Sequence, residues 1–507
     1  MALSAGGRIL NPNEVASKDR SPVPARGVRT ALLTILALAL ALRLWGLTFG
    51  LPYQMQPDEA SVIDRTMTMW LTGDLDPHYL TYPSLFYYLQ AGWQDAAGHL
   101  GALVQPGLLK NPATFSPTVT AKPFYYGASR LLTALLGTLT VLMTYLVGRR
   151  LSLRVGIFSA LFLAVAAIHV QQSHYATVDA TTALFTASAA FFALGMLAPN
   201  RRSFPLMLLG SSVSAGLAAG TKYNAGLALA LPLAALALMV ALPIGRRLRA
   251  ALIVGATGAL VFFLTTPYAL LDQPLLRASL QSVFHHYTGG QAGAEGNDNV
   301  VWYLQDLVTR GIGLPMTVMA LAGVPLVVSR FRAQGIVLLS FVIPYYALLC
   351  STIVRFDRNL LPILPFLAIL AACSSDLAIT WLGRVLRHER AACFLILGIV
   401  AAPSLYIAAY DDQLSDYALA HRFTEDVAAA WATAHLPDHA VIATENWEGR
   451  VFDSSPRHFR IHWASSLGNV PFSSLVRQGI RFVITDSYTH GEYEGDARRF
   501  PGQAARY

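Results

Sequence analysis

Charge is scarce in this sequence. Of 507 residues only 13% are Asp, Glu, Lys or Arg, about half of the ~25% that soluble domains carry. That density cannot cover the surface of a soluble protein of this length. The 54% of hydrophobic residues equally excludes a disordered chain. Cysteine is scarcer still, at three, which excludes a disulfide scaffold. Acids fall short of bases, 29 against 37, leaving a net charge of +8. A basic balance permits a nucleic-acid partner, but the placement of the bases decides their purpose. What the chain has in quantity is long apolar runs, with a mean hydropathy of +0.46. They predict an α-helical polytopic membrane protein.

A bilayer core takes about 20 apolar residues per helix. About eleven such stretches occur, beginning near Thr30, Phe124, Val155, Ala176, Phe204, Asn224, Ala250, Ile312, Gly335, Leu360 and Ala391. Basic residues stay on the cytoplasmic side, and they recur in every second connection. Arg26 and Arg29 precede the first run; Arg149, Arg150 and Arg154, then Arg201 and Arg202, Arg246, Arg247 and Arg249, Arg330 and Arg332, and Arg384, Arg387 and Arg390 follow. The alternation predicts a cytoplasmic N-terminus and an extracytoplasmic C-terminal region. It spends most of the positive charge on topology, so no nucleic acid is called for. Residues 1–29, rich in Pro, Ser and Arg, read as a disordered cytoplasmic tail. The first run continues through Leu44, Trp45 and Phe49, too long for a signal-peptide core, and reads as a retained anchor.

Residues 30–410 would form the membrane domain. Three connections in the chain are long, and all fall on the outer side. In the first, 51–123, Glu59–Trp70 and Ser84–Leu100 read as amphipathic helices lying on the membrane. The second runs from Leu271 to about Gly311. The third is the tail, 411–507. It has helical spacing of Phe423, Val427 and Trp431, then β-rich runs at 440–444 and 481–485. This predicts a small extracytoplasmic α/β domain.

Candidate chemistry gathers on that side. Asp58 and Glu59 open the first loop. A carboxylate in a partly desolvated cleft can take a proton from an attacking hydroxyl; the bland alternative is a helix cap and dipole pairing. Asp179 enters a span beside His174 in one compact outer turn, where an acid is costly and a functional candidate by default. Lys222 is the one cation in an outward turn, suited to a phosphate or to snorkelling. His285, His286 and Tyr287 lie in the second loop. Adjacent histidines on a helix diverge, and no Cys/His/Asp pattern has convincing metal spacing, so substrate positioning is expected there. Arg355 and Arg358 open the tenth span, ahead of Pro362 and Pro365. An arginine fork suits a phosphate diester, and the prolines free backbone carbonyls where a cavity can use them.

The order of these motifs carries a resemblance. Leu42-Arg43-Leu44-Trp45, Pro57-Asp58-Glu59, Gly73-Asp74-Leu75-Asp76-Pro77, Tyr82-Pro83-Ser84-Leu85 and Arg358-Asn359-Leu360-Leu361-Pro362-Ile363-Leu364-Pro365 resemble the GT-C glycosyltransferases. The likeness is to the branch of protein O-mannosyltransferases and lipid A aminoarabinose transferases. It implies a GT-C fold and transfer of a sugar from a polyprenyl-phosphate carrier to an acceptor outside the membrane. The acceptor would be a protein, a lipid or a polysaccharide. Asp58 maps onto the family's catalytic base, Asp179 onto its second acidic motif, and Lys222 and Arg358 onto donor-phosphate positions, with Asn359 where an aromatic is more usual. Some relatives hold a divalent metal through a carboxylate and a histidine from comparable loops, so a metal stays open, with no cofactor required. The implied reaction is a single displacement with inversion. A secondary transporter and a lipid-linked polysaccharide ligase or polymerase are the competing readings; the first would gather its charges near the midplane.

Overall fold

The computed structural model describes residues 25–51, 56–104, 122–198, 202–289, 298–420, 424–445, 457–464, 466–485 and parts of 490–506. The tail expected to be disordered lies mostly outside them, but its last five residues are helical, because α1 spans Ala25–Leu44. After it come α2 (Pro57–Thr72), α3 (Leu85–Val104), α4 (Lys122–Arg149), α5 (Leu153–Ala164), α6 (Ala167–Gln172), α7 (Val178–Met196) and α8 (Phe204–Thr221). A 3-10 segment, Tyr223–Leu229, leads into α9 (Ala230–Leu238), followed by α10 (Ile244–Thr265), α11 (Gln273–Gly289) and α12 (Asn299–Asp306). The helical part ends with α13 (Leu314–Arg330), α14 (Arg332–Cys350), a 3-10 turn at Asp357–Ile363, α15 (Leu364–Leu386) and α16 (Glu389–Ala420).

Among the described residues eight helices are long and apolar enough to cross a membrane. Three shorter apolar helices, Leu153–Ala164, Tyr223–Leu238 and Leu314–Arg330, fall where the other expected stretches lie. The chain is an integral membrane protein. Its centre is α7 and the first half of α15, which are mostly buried. Helix α7 presents Ala183, Ala187, Ala190 and Ala193 to its neighbours. Small side chains let helix backbones approach closely where lipid offers no competing hydrophobic force. The same logic holds Gly323 of α13 against α15: a Cβ there would collide with the Leu370 carbonyl oxygen.

The two ends of the bundle are tied by charge. At one, Asp376 of α15 takes Arg330 at 2.9 Å and Arg154 at 3.6 Å, and Arg154 also reaches Glu389. Arginines from separate connections therefore meet at the same end, as the alternation predicts. The other end carries the helices of the first loop. Helix α2 starts where the Gln56 side chain caps the Glu59 amide at 2.8 Å, and it stops at Gly73 with a left-handed φ of 70°. Asp58 is therefore not the cap. The apolar faces of these helices are spent on protein: Val62 and Met69 pack with Phe86, Tyr87 and Val178, while Ile63 and Met67 pack with Tyr125, Tyr126 and Ala176.

The C-terminal region has α17 (Thr424–His435) and β1 (Val441–Glu445), β2 (Arg460–Ala464) and β3 (Phe482–Ile484). The sheet is parallel in the order β2-β1-β3. Successive β1 residues face opposite sides. Ile442 packs with Ala432 of α17 and with Leu436 just past its end, and Ala443 packs with Leu467, Leu475 and Ile480. This is a small α/β unit. Strand β2 escapes the sequence reading because Arg460-Ile461-His462-Trp463 is a half-exposed edge with a weak apolar signal.

Candidate active site

Adjacent residues on a helix point about 100° apart, and Asp58 and Glu59 have different surroundings for that reason. Glu59 faces inward and is wholly buried. Its two oxygens each take 2.7 Å bonds from Arg130 of α4, and Oε1 also accepts from the Ala176 amide at 3.0 Å. Arg130 in turn donates to the Leu47 and Phe49 carbonyls and covers the Phe49 ring. The knot joins the end of α1, the start of α2, the middle of the bundle and the α6–α7 turn. Three of its acceptor sites are filled by Arg130 and the Ala176 amide, so Glu59 holds its neighbour in place.

Asp58 points away from that knot with 31% of its side chain exposed, and Arg358 Nη2 lies 2.9 Å from its Oδ2. Arg358, 20% exposed, lies over the Phe356 ring at 4.5 Å. The Tyr82 hydroxyl approaches the same Asp58 oxygen at 3.5 Å, the long limit of a hydrogen bond. Burial, and then the Asp58 charge, push the Tyr82 phenol well above its ordinary value, so it stays a donor.

Beneath that pair lies a second one. Lys222, at the end of α8, donates to Asp179 Oδ1 at 2.7 Å and to Asn359 Oδ1 at 2.8 Å. Its side chain is 8% exposed and that of Asp179 is 2% exposed. Asn359 follows Arg358 directly in the 3-10 turn, so both cations converge on one short segment. Lys222 is thus already coordinated by protein and neither snorkels nor stands open.

The remaining candidates divide. His286 stacks on Phe356 at 6.0 Å and 8°, and burial followed by the Arg358 charge pulls its imidazole below the ordinary value. Tyr287 is an electrostatic neighbour of Arg358 and Tyr82, and its carbonyl accepts from Ile353 N at 2.9 Å. His285 is exposed beside Phe284, outside the cluster. Arg355 turns to Trp302 of α12 at 5.0 Å and does not join Arg358. His174 is buried, its Nε2 2.9 Å from the Trp45 carbonyl, which clamps α1 to the α6–α7 turn. Neither His285 nor His286 belongs to a group of three ligating side chains among the described residues. The structure adds Arg130, Tyr82, Phe356 and Asn359 to the roles read from sequence. The available signals were a lone arginine inside an apolar run and a lone amide in the 360-region span.

The arrangement is a strip of alternating charge at one end of the bundle: an open Asp–Arg pair above a sealed Asp–Lys–Asn cluster. It can hold an anion at the cation side and a proton acceptor beside it. Residues 111–265 match the model of the dolichyl-phosphate-mannose-protein mannosyltransferase family, a stretch that includes Arg130, Asp179 and Lys222. No curated protein matches the chain. Among solved structures, the oligosaccharyltransferase AglB of Archaeoglobus fulgidus, in complex with an inhibitory peptide and a dolichol-phosphate, is similar at 14% identity and a TM-score of 0.60. That match covers 95% of this chain and 71% of AglB. ArnT of Cupriavidus metallidurans, bound to undecaprenyl phosphate, is similar at 16% identity and a TM-score of 0.55, over 90% of each chain. The chain thus shares the GT-C fold of these membrane proteins, and its residues 111–265 carry the family match.

Proposed function

We propose that this protein transfers a sugar from a polyprenyl-phosphate donor to an acceptor hydroxyl on the extracytoplasmic side, with inversion and with Asp58 as the base. The observation that carries the reading is the 2.9 Å approach of Arg358 to Asp58. It sets the one partly open cation of the cluster next to the one partly open carboxylate. The donor phosphate takes the Arg358 fork, which suits a diester bidentately. Charge building on the departing phosphate is stabilised there. Asp58, released from Arg358, takes the proton of the acceptor hydroxyl as that oxygen attacks the anomeric carbon. A single displacement needs no covalent sugar–enzyme intermediate.

Lys222 acts on this view from below. Asp179 and Asn359 hold it under the Arg358 segment, where it adds positive potential to the phosphate site. Asp179 serves as a positioning residue. Tyr82 orients Asp58, and the Phe356–His286 stack walls the Arg358 side. The relatives in complex with dolichol-phosphate and undecaprenyl phosphate support a polyprenyl carrier. Gathering of the polar groups at one end of the bundle speaks against a transporter, whose charges would cluster at mid-membrane. The arginine alternation supports an outward-facing site.

The test is direct. Purified full-length protein in lipid nanodiscs, given a radiolabelled polyprenyl-phosphate sugar and a membrane extract as acceptor, is expected to move label from the carrier to the acceptor fraction. Transfer at the wild-type rate by Asp58→Asn would remove Asp58 as base. Counterflow of a solute in proteoliposomes without sugar transfer would favour transport.

A further inference from the structure

The turn that precedes β1 and the residues that precede β2 bring together three groups with no part in the polar cluster above. We propose that Asp438, His439 and His458 form a binding site for a zinc-class divalent metal, clipping the start of β1 to the start of β2.

The register creates the site. In the parallel pairing Val441 stands opposite Arg460, so two residues earlier His439 stands opposite His458. Their rings lie 5.4 Å apart and within 25° of parallel. Asp438 is fixed between them by the backbone. Its Oδ1 accepts from His458 N at 2.8 Å and from His439 N at 3.1 Å.

The donor atoms have the right reach. Asp438 Oδ2 is 3.8 Å from His439 Nε2, and Asp438 Oδ1 is 3.5 Å from His458 Nδ1. All the ligating atoms lie within 4.8 Å of one another. Bonds of about 2.0–2.1 Å in a tetrahedral zinc site put ligands roughly 3.4 Å apart, so with one donor atom taken from each residue the set has to close by about 1.4 Å at most. All three side chains are exposed, and the two imidazoles can turn toward the fixed carboxylate. His439 has a φ of 59°, a left-handed conformation that a non-glycine residue adopts at a cost. It is this turn of the backbone that sets its ring beside His458.

Chemistry selects the metal. Two imidazoles and one carboxylate suit Zn²⁺, Ni²⁺ or Cu²⁺, whereas Mg²⁺ and Ca²⁺ prefer oxygen alone. Three protein ligands leave a fourth position for water. Because Asp438 and His439 are some twenty positions from His458 in sequence, the ion would close a loop and stabilise the pairing of β1 with β2.

The experiment uses full-length protein without an affinity tag, stripped with a chelator and titrated with ZnCl₂ in a calorimeter. Wild type is expected to bind one Zn²⁺ with micromolar or tighter affinity and to give no heat with MgCl₂. The variants His439→Asn, which tolerates the left-handed backbone, and His458→Ala, which keeps the amide that Asp438 accepts, are each expected to weaken binding at least tenfold. Zinc should also raise the melting temperature of wild type and not that of the double variant. Failure of wild type to bind zinc, or undiminished binding by the double variant, would overturn the proposal. Sugar transfer is measured in parallel and is expected to be equal in wild type and the double variant, so this site and the proposed active site fail independently.

Discussion

Arg358 Nη2 pairs with Asp58 Oδ2 at 2.9 Å. The proposed phosphate ligand and the proposed base therefore guard one another. A donor phosphate that claims the guanidinium has to displace the carboxylate, and that displacement frees the base beside the sugar just delivered. Premature deprotonation of a hydroxyl, before the donor arrives, is disfavoured by the same contact.

This makes Asp58→Asn informative in two directions. Loss of a general base costs typically 10²–10⁴-fold in rate. Donor binding should move the other way: with no carboxylate competing for Arg358, the donor dissociation constant is expected to fall by up to about tenfold, or ~1.4 kcal/mol. Radiolabelled-donor binding and single-turnover transfer read the two effects separately. Weaker donor binding in Asp58→Asn would show that the pair is not a competitor of phosphate.

Lys222 tests the layer below. It is buried against Asp179 and Asn359, and removing one partner of a buried pair leaves an uncompensated charge at a cost of about 3–5 kcal/mol. Lys222→Met should therefore lower the melting temperature sharply and reveal little about catalysis. The double variant Lys222→Met/Asp179→Leu removes both charges and is expected to recover stability while transferring sugar at least tenfold more slowly than wild type. Wild-type transfer by the double variant would reduce the cluster to packing.

The sequence makes the bundle legible because apolar runs and arginine turns obey strong rules: every expected run falls on a helix, and Arg154 and Arg330 do meet at one end through Asp376. Asp58, Asp179, Lys222 and Arg358 do converge. Pairing was less legible, since it depends on contacts far apart in sequence. Nothing adjacent to Lys222 says that Asn359, over a hundred residues later, accepts from it. Asp58 and Glu59 look equivalent in sequence, and one step of helical rotation gives one to Arg358 and the other to Arg130. The α2 and α3 helices read as amphipathic, but the pattern alone does not say whether lipid or protein covers the apolar face; Phe86 and Tyr125 answer that.

Glu59→Gln tests the division between the neighbours. An amide offers Arg130 one acceptor oxygen where the carboxylate offers two, and leaves a buried guanidinium without its counter-charge. A loss of about 3–5 kcal/mol is expected, seen as a lower melting temperature and a poorer yield. The protein that does fold should transfer sugar within a few-fold of wild type, measured per folded molecule. A rate loss matching that of Asp58→Asn, at unchanged stability, would return Glu59 to the reaction.

His174 gives the protein an acid limit. Burial first, opposed by the bond to the Trp45 carbonyl and reinforced by Arg43 and Arg130, lowers its imidazole from 6.5 to about 4. The folded state thus binds fewer protons than the unfolded state between those values, and stability falls as pH drops through them. The difference corresponds to roughly 3 kcal/mol, present in full above pH 6.5 and lost by pH 4. Melting temperature measured from pH 7.5 down to 4 should decline across that window. His174→Gln keeps a donor for the Trp45 carbonyl and carries no titrating group, so its decline should be shallower. Some slope should remain, because burial drives His169 in the same direction. Identical profiles for wild type and His174→Gln would mean that the α1 clamp does not depend on a neutral imidazole.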